Sequence, residues 1–209
     1  MENKIGSGTA ALKSLKEGNS RFVSGVRSID NMIKQSQREE FVEGQAPFAI
    51  ILGCSDSRVP AEIVFDQGLG DLFVIRVAGN IVAPSQVGSI EFAVDTFGTP
   101  LVVVLGHSQC GVVKATIDEL SHPTGGHSSN LLSIVNRIRP TIEPLFHTEL
   151  RHQHDKLLDA SIHANILAST NQLRHGSQRL EELVQQGKLT IIGAEYSLKT
   201  GVVTFIEGV

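Results

Sequence analysis

Three short apolar runs constrain this chain more than anything else in it: "PFAIILGC" (47–54), "DLFVIRVAGN" (71–80) and "PLVVVLGH" (100–107). Each is rich in β-branched residues, is bounded by Pro, Gly or Asn, and lacks polar alternation, the pattern of strands covered on both faces. Between the second and third, "SQVGSIEFAVDTFG" (85–98) sets Val87, Ile90, Phe92, Val94 and Phe97 at helical spacing before a glycine stop. After the third, "SQCGVVKATIDEL" (108–120) reads directly as another helix. Strands alternating with helices at this spacing require right-handed crossovers, so the expected class is α/β, with a mostly parallel central sheet flanked by helices. Ligands of such sheets sit outside the carboxyl ends of the strands. Cys54 lies at one such end, and His107 with Cys110 at another.

The rest of the chain dresses this sheet. Residues 9–25, "TAALKSLKEGNSRFVSG", place Leu12, Leu15, Phe22 and Val23 at helical intervals with Gly18 and Gly25 as breaks, which predicts one or two short amphipathic helices. "SHPTGGHS" (121–128) is a turn-rich loop. Helices are expected in 130–146, interrupted by Pro140 and Pro144, and again across 149–187. "KLTIIGAEYSLKTGVVTFIE" (188–207) closes the chain as two strands joined around "LKTG". With 209 residues, 41% of them hydrophobic, one core is affordable in size. We divide this single domain into a helical arm (1–40), an α/β core (41–120), a helical region (121–190) and closing strands (191–209).

A formal net charge of −4 offers no basic stripe for a phosphate backbone, so nucleic acid is not an expected partner. No apolar stretch reaches the roughly 20 residues that span a bilayer, and the first twenty residues lack the apolar middle of a signal peptide. A soluble cytoplasmic protein is the expectation. The two cysteines are compatible with a bridge, with inert core thiols or with metal ligands.

What surrounds the cysteines separates these readings. "HSQCG" puts His107 at a strand end and Cys110 on the first turn of a helix, where the partial positive charge favours thiolate. Two thiolates and one imidazole suit Zn²⁺ and leave a fourth tetrahedral position open, which favours catalysis over scaffolding. Two thiolates also cancel the ion's charge, so water is acidified less than at an all-imidazole site and another group must help. "GCSDSRVP" (53–60) offers one: Asp56, kept ionised by Arg58, is suited to aim an activated water, or to swing onto the metal as a fourth ligand in a closed state. A lone cysteine is usually a small core hydrophobe, and a lone histidine a structural one; it is their joint occurrence at strand ends that points to a metal. His122, His127, His147, His152, His154, His163 and His175 read as surface residues, and "GLG" (68–70) as a turn.

Together "CSDSR", "HSQCG" and the intervening "GSIEFAVDTFGTPLVVVLGH" resemble the β-class carbonic anhydrases, zinc enzymes that interconvert carbon dioxide and bicarbonate; "GNSRFVSG" and "YSLKTG" extend the resemblance over nearly the whole chain. The resemblance implies zinc on Cys54, His107 and Cys110, with the Asp56 and Arg58 dyad beside it. It also implies substrate contacts from Gln45, in "GQAPFAIILGC" of the plant-like branch, and from the Gly111 N–H, with Phe73 and Phe92 as apolar pocket walls. A cleft at a dimer interface follows, hence a homodimer or a tetramer of dimers. Two positions depart from the family. Ile51 stands where another branch has the tryptophan of an inhibitory bicarbonate site, so that site should be absent or crippled even with Arg76 retained. Val112 replaces a second glycine and alters the pocket's shape. Hydrolysis of carbon disulfide or carbonyl sulfide on the same scaffold, and a non-catalytic zinc or redox-sensing module, are the rival readings.

Overall fold

The computed structural model describes residues 6–36, 38–122, 126 and 128–206; His127 therefore lies outside the described residues. The three apolar runs become β1 (Ala49–Gly53), β2 (Leu72–Arg76) and β3 (Leu101–His107), and the chain closes with β4 (Thr190–Tyr196) and β5 (Val203–Ile206). They form one sheet in the order β2-β1-β3-β4-β5, parallel except for the final antiparallel pair. Period-two alternation then divides the side chains between two cores. Ile50, Leu52, Val102, Val104 and Ile191 face one core, and Ile51, Val103, Leu105, Ile192 and Ala194 the other. β2 is the exception to burial on both faces: it is an edge strand, and only Leu72 in it is fully buried.

The second core is covered by α1 (Gly8–Val23), followed by α2 (Ile29–Ser36), and by the short α3 (Ala61–Val64), which sequence periodicity did not signal. Ser7 caps α1 by accepting from the Ala10 N–H at 3.2 Å. Gly18 does not break this helix. A Cβ there would lie 1.8 Å from the Phe65 carbonyl oxygen, so the glycine is retained for close approach to the residues after α3.

The first core is covered by α4 (Pro84–Phe97), α5 (Gly111–Ser121), α6 (Ser129–Phe146) and α7 (His154–His175), with α8 (Gln178–Gln185) following. α4 ends, as expected, at left-handed Gly98. α6 runs unbroken through Pro140 and Pro144, against expectation. Both prolines are exposed, while Val135, Ile138 and Ile142 are fully buried. The two carbonyls left without donors open toward water, and the packed face keeps the helix together.

From β1 the chain steps outward to β2 and then returns past β1 to β3. Crossovers thus leave the β1/β3 boundary in opposite directions, and a crevice opens at their carboxyl ends.

Candidate metal centre

Cys54 follows the last residue of β1, His107 ends β3, and Cys110 caps α5, so the crevice receives all three side chains. Their ligand atoms lie within 4.8 Å of one another, and all three residues are buried. The turn between them is tight, with Gln109 held at φ 56°.

Each donor is already oriented. His107 Nδ1 lies 2.9 Å from the Ser108 carbonyl, which makes Nδ1 the N–H donor and leaves the Nε2 lone pair facing inward. Nε2 is buried without a hydrogen-bond partner among the described residues. Ser108 is itself fixed: its N–H reaches the Tyr196 carbonyl at 2.9 Å, and its hydroxyl accepts from the Leu198 N–H at 3.0 Å. Thus "YSLKTG" acts by holding the peptide that orients His107. On the other side, the Gly79 N–H donates to Cys54 Sγ at 3.4 Å.

The two sulfurs face each other and shift in opposite directions. A hydrogen bond from the Cys110 thiol, helped by His107 and by the Gly79 and Asp56 backbones, overcomes burial and brings the Cys54 thiol down to about 4. Contact with that thiolate, reinforced by burial, pushes Cys110 up. Burial pulls the His107 imidazole down, but the Cys54 thiolate outweighs it and the net shift is upward. A divalent cation held here by Cys54, His107 and Cys110 would favour the thiolate form of both cysteines and would take up the Nε2 lone pair. Two thiolates and a neutral imidazole on rigid strand ends fit Zn²⁺, with one tetrahedral position left over.

Asp56 lies beside the triangle, its Oδ2 4.0 Å from His107 Nε2. Arg58 grips both carboxylate oxygens, Nε to Oδ1 at 2.9 Å and Nη2 to Oδ2 at 2.7 Å, while its backbone N–H also reaches Oδ1 at 2.9 Å. These bonds hold the carboxyl well below the usual carboxylate range despite partial burial. Arg76, at the end of β2, ties down the same loop by donating to the Cys54 and Asp56 carbonyls. That anchoring role was not legible beforehand, although "RVAGN" directly after an apolar run marks a strand end and a turn.

The remaining expected site residues divide. Gly111 opens α5 beside Cys110, and a Cβ there would meet open space. Gln45, Phe73 and Phe92 do not join the cluster of their own chain. Gln45 is exposed ahead of β1, with the whole strand, about 17 Å, between it and Cys54. Phe73 pairs in register with Ile50, three residues or about 10 Å back from the strand end. Its ring packs instead on Phe92 and Phe97, with centroids 6.3 Å and 6.2 Å away.

Comparison with known proteins agrees with this geometry. The family model described as carbonic anhydrase matches residues 49–203. Carbonic anhydrase 2 of Mycobacterium tuberculosis is 39% identical over 199 residues, covering 92% of this chain and 89% of that protein. The Coccomyxa β-carbonic anhydrase, solved with acetazolamide, superposes with a TM-score of 0.72 at 24% identity, covering 93% of this chain and 86% of that one. One of the tetrameric β-carbonic anhydrases of Sordaria macrospora superposes with a TM-score of 0.71 at 24% identity, covering 85% and 91%. The chain belongs to the carbonic anhydrase family, and its fold is that of the β class.

Proposed function

We infer that this chain is a zinc lyase that interconverts carbon dioxide and bicarbonate. One observation carries the reading: a buried Cys54, His107 and Cys110 triangle bordered by a carboxylate that an arginine holds ionised. Zinc bound there supplies a Lewis acid that makes water nucleophilic near neutral pH.

The chain's own residues do the rest. With both oxygens held by Arg58, Asp56 is placed to accept a hydrogen bond from the attacking water and so point a lone pair at the carbon of carbon dioxide. The same pairing favours this role over that of a resident fourth ligand, because turning toward the metal would break two charge-assisted bonds. The Gly111 N–H, one of the free donors at the start of α5, suits an oxygen that gains negative charge as bicarbonate forms.

Gln45, Phe73 and Phe92 serve the site across a subunit interface, each chain supplying its partner. The exposed part of the Phe73, Phe92 and Phe97 cluster lies beside edge strand β2, with Phe92 54% exposed, and Ile29 on the arm is 73% exposed. Such apolar surface suits a second copy, as a homodimer or a tetramer of dimers. No described helix is long and apolar enough to cross a membrane. The cytoplasm is the compartment we assign, since both metal-binding thiols must stay reduced and both are free.

The test is metal content together with stopped-flow hydration of carbon dioxide, with carbonyl sulfide hydrolysis assayed in parallel. About one zinc per chain and rapid hydration are expected, and Cys110→Ala should lose both. Full hydration by metal-free Cys110→Ala protein would end this reading.

A further inference from the structure

The N–H that meets the Cys54 sulfur belongs to a turn of unusual backbone. Ala78–Asn80 is a 3₁₀ turn in which Gly79 (φ 72°, ψ 21°) and Asn80 (φ 44°) are both left-handed. That is strained for the asparagine and unfavourable for anything but glycine at 79. Both residues are buried. The turn is closed by the bond from the Asn80 N–H to the Val77 carbonyl at 3.1 Å, and the Asn80 Nδ2 donor is buried without a partner among the described residues. Above Gly79, the Val112 and Ile138 side chains leave no room: a Cβ would meet Val112 Cγ1 at 2.6 Å and Ile138 Cδ1 at 2.8 Å. Val112, which departs from the family pattern, thus presses on this turn.

A side-chain hydrogen bond to the turn comes from α7. Asn165 is 3% exposed, among Leu158, Ile162, Ile166 and Leu173 of the same helix, and its Nδ2 donates to the Gly79 carbonyl at 2.9 Å. The buried face of α7 also carries Ser161, Ser169 and Thr170; a buried amide is costly unless bonded, and this bond spans 86 positions of sequence. The two peptides flanking Gly79 are therefore held at opposite ends, one by Asn165 and the other through Cys54 Sγ.

We propose that Asn165 is a positioning residue for the metal centre: by gripping the Gly79 carbonyl it holds the strained turn where the Gly79 N–H meets the Cys54 sulfur. The inference rests on the zinc reading above and deepens it. An N–H···S bond withdraws charge from the thiolate and aims its lone pair. With two thiolates already neutralising the ion, this bond helps set how much Lewis acidity survives.

The experiment compares Asn165→Leu and Asn165→Asp, which both delete the donor, with Ser161→Ala. That control removes a buried α7 hydroxyl with no partner among the described residues. Competition against a chromophoric chelator should show zinc held about 10- to 100-fold more weakly by both Asn165 variants and unchanged in Ser161→Ala. In the cobalt-substituted proteins the sulfur-to-metal charge-transfer band should move to lower energy only in the Asn165 variants. A third measurement needs no variant to fold: in wild-type protein loaded with NMR-active cadmium, the Gly79 amide proton should couple to the metal through the Cys54 sulfur. Folded Asn165 variants with wild-type zinc affinity and cobalt spectrum, or an uncoupled Gly79 amide, would overturn the inference and leave the metal centre standing. Wild-type protein that takes up no zinc would instead overturn the reading beneath it.

Discussion

Gly18→Ala sets helix propensity against tertiary packing, and the structure says which wins. In isolation, alanine in the middle of α1 should gain about 1 kcal/mol over glycine. Here the new Cβ would sit 1.8 Å from the Phe65 carbonyl oxygen and 2.8 Å from Gln67 Nε2, so α1 must retreat by more than an ångström. Asn19, the next residue, cannot follow. Its Nδ2 donates to the Val64 and Gly201 carbonyls at 3.1 and 2.9 Å, and its Oδ1 accepts from the Val203 N–H at 2.8 Å. At about 1 kcal/mol each, these bonds put roughly 3 kcal/mol at risk. The Arg21 bond to Asp66 at 2.7 Å is loosened by the same movement. The net cost is about 2–4 kcal/mol, which for a chain of this size lowers Tm by about 5–15 °C. Thermal unfolding followed by circular dichroism, at matched zinc and protein concentrations, measures it. Glu17→Ala, on the neighbouring exposed position, is the control and should stay within about 0.5 kcal/mol. A Gly18→Ala protein with an unchanged or raised Tm would refute the account, since local propensity would then have prevailed over the α1 contact.

The other expectations concern charge and assembly. Arg58→Lys keeps the positive charge but cannot grip both oxygens of Asp56, so kcat/KM should fall about a hundredfold with zinc content unchanged; retained activity would remove the dyad from the mechanism. Phe92→Asp places a charge in the aromatic cluster beside β2 and should yield monomers in sedimentation that keep zinc but lose hydration; an active monomer would show that one chain completes its own site. The fully buried Asp66 carboxylate is pushed up by burial but pulled down further by Arg21, the Ser28 N–H and Arg27, ending below its ordinary value. Its contribution should therefore be complete above the unfolded value of about 3.9 and fade as pH falls toward the lower folded one. Pepsin cleavage within the arm should rise over that acid interval in wild type, and Asp66→Asn should already be cleaved more readily at the upper end of the interval and lack this acid step; identical profiles would exclude Asp66 as the group that holds the arm through Arg21, Arg27 and Ser28.

Legibility followed the separation between cause and effect along the chain. The strands were legible because burial on both faces writes itself into consecutive residues. β2 broke the rule because its edge position is decided by neighbours in the sheet. The ligands were legible too: a strand end next to a helix start fixes His107 and Cys110 within one turn, and β1 ends at Cys54. Gly18 and the prolines of α6 were misread as interruptions because each is a local helix breaker whose cost is met elsewhere, by Phe65 in one case and by the buried face of α6 in the other.

The same distinction separates the two halves of the metal centre. Its donors come from short motifs, but what orients them is remote: Leu198 holds Ser108 across 90 positions, and Asn165 holds Gly79 across 86. A motif can therefore survive intact while its centre fails, if α7 or the closing strands shift. Conversely, Val112 alters a motif position without replacing a ligand, and its side chain packs over the turn that α7 bonds. Metal affinity in this protein is accordingly a property of the packed sheet and α7 together, with "CSDSR" and "HSQCG" supplying only the atoms that the packing aims.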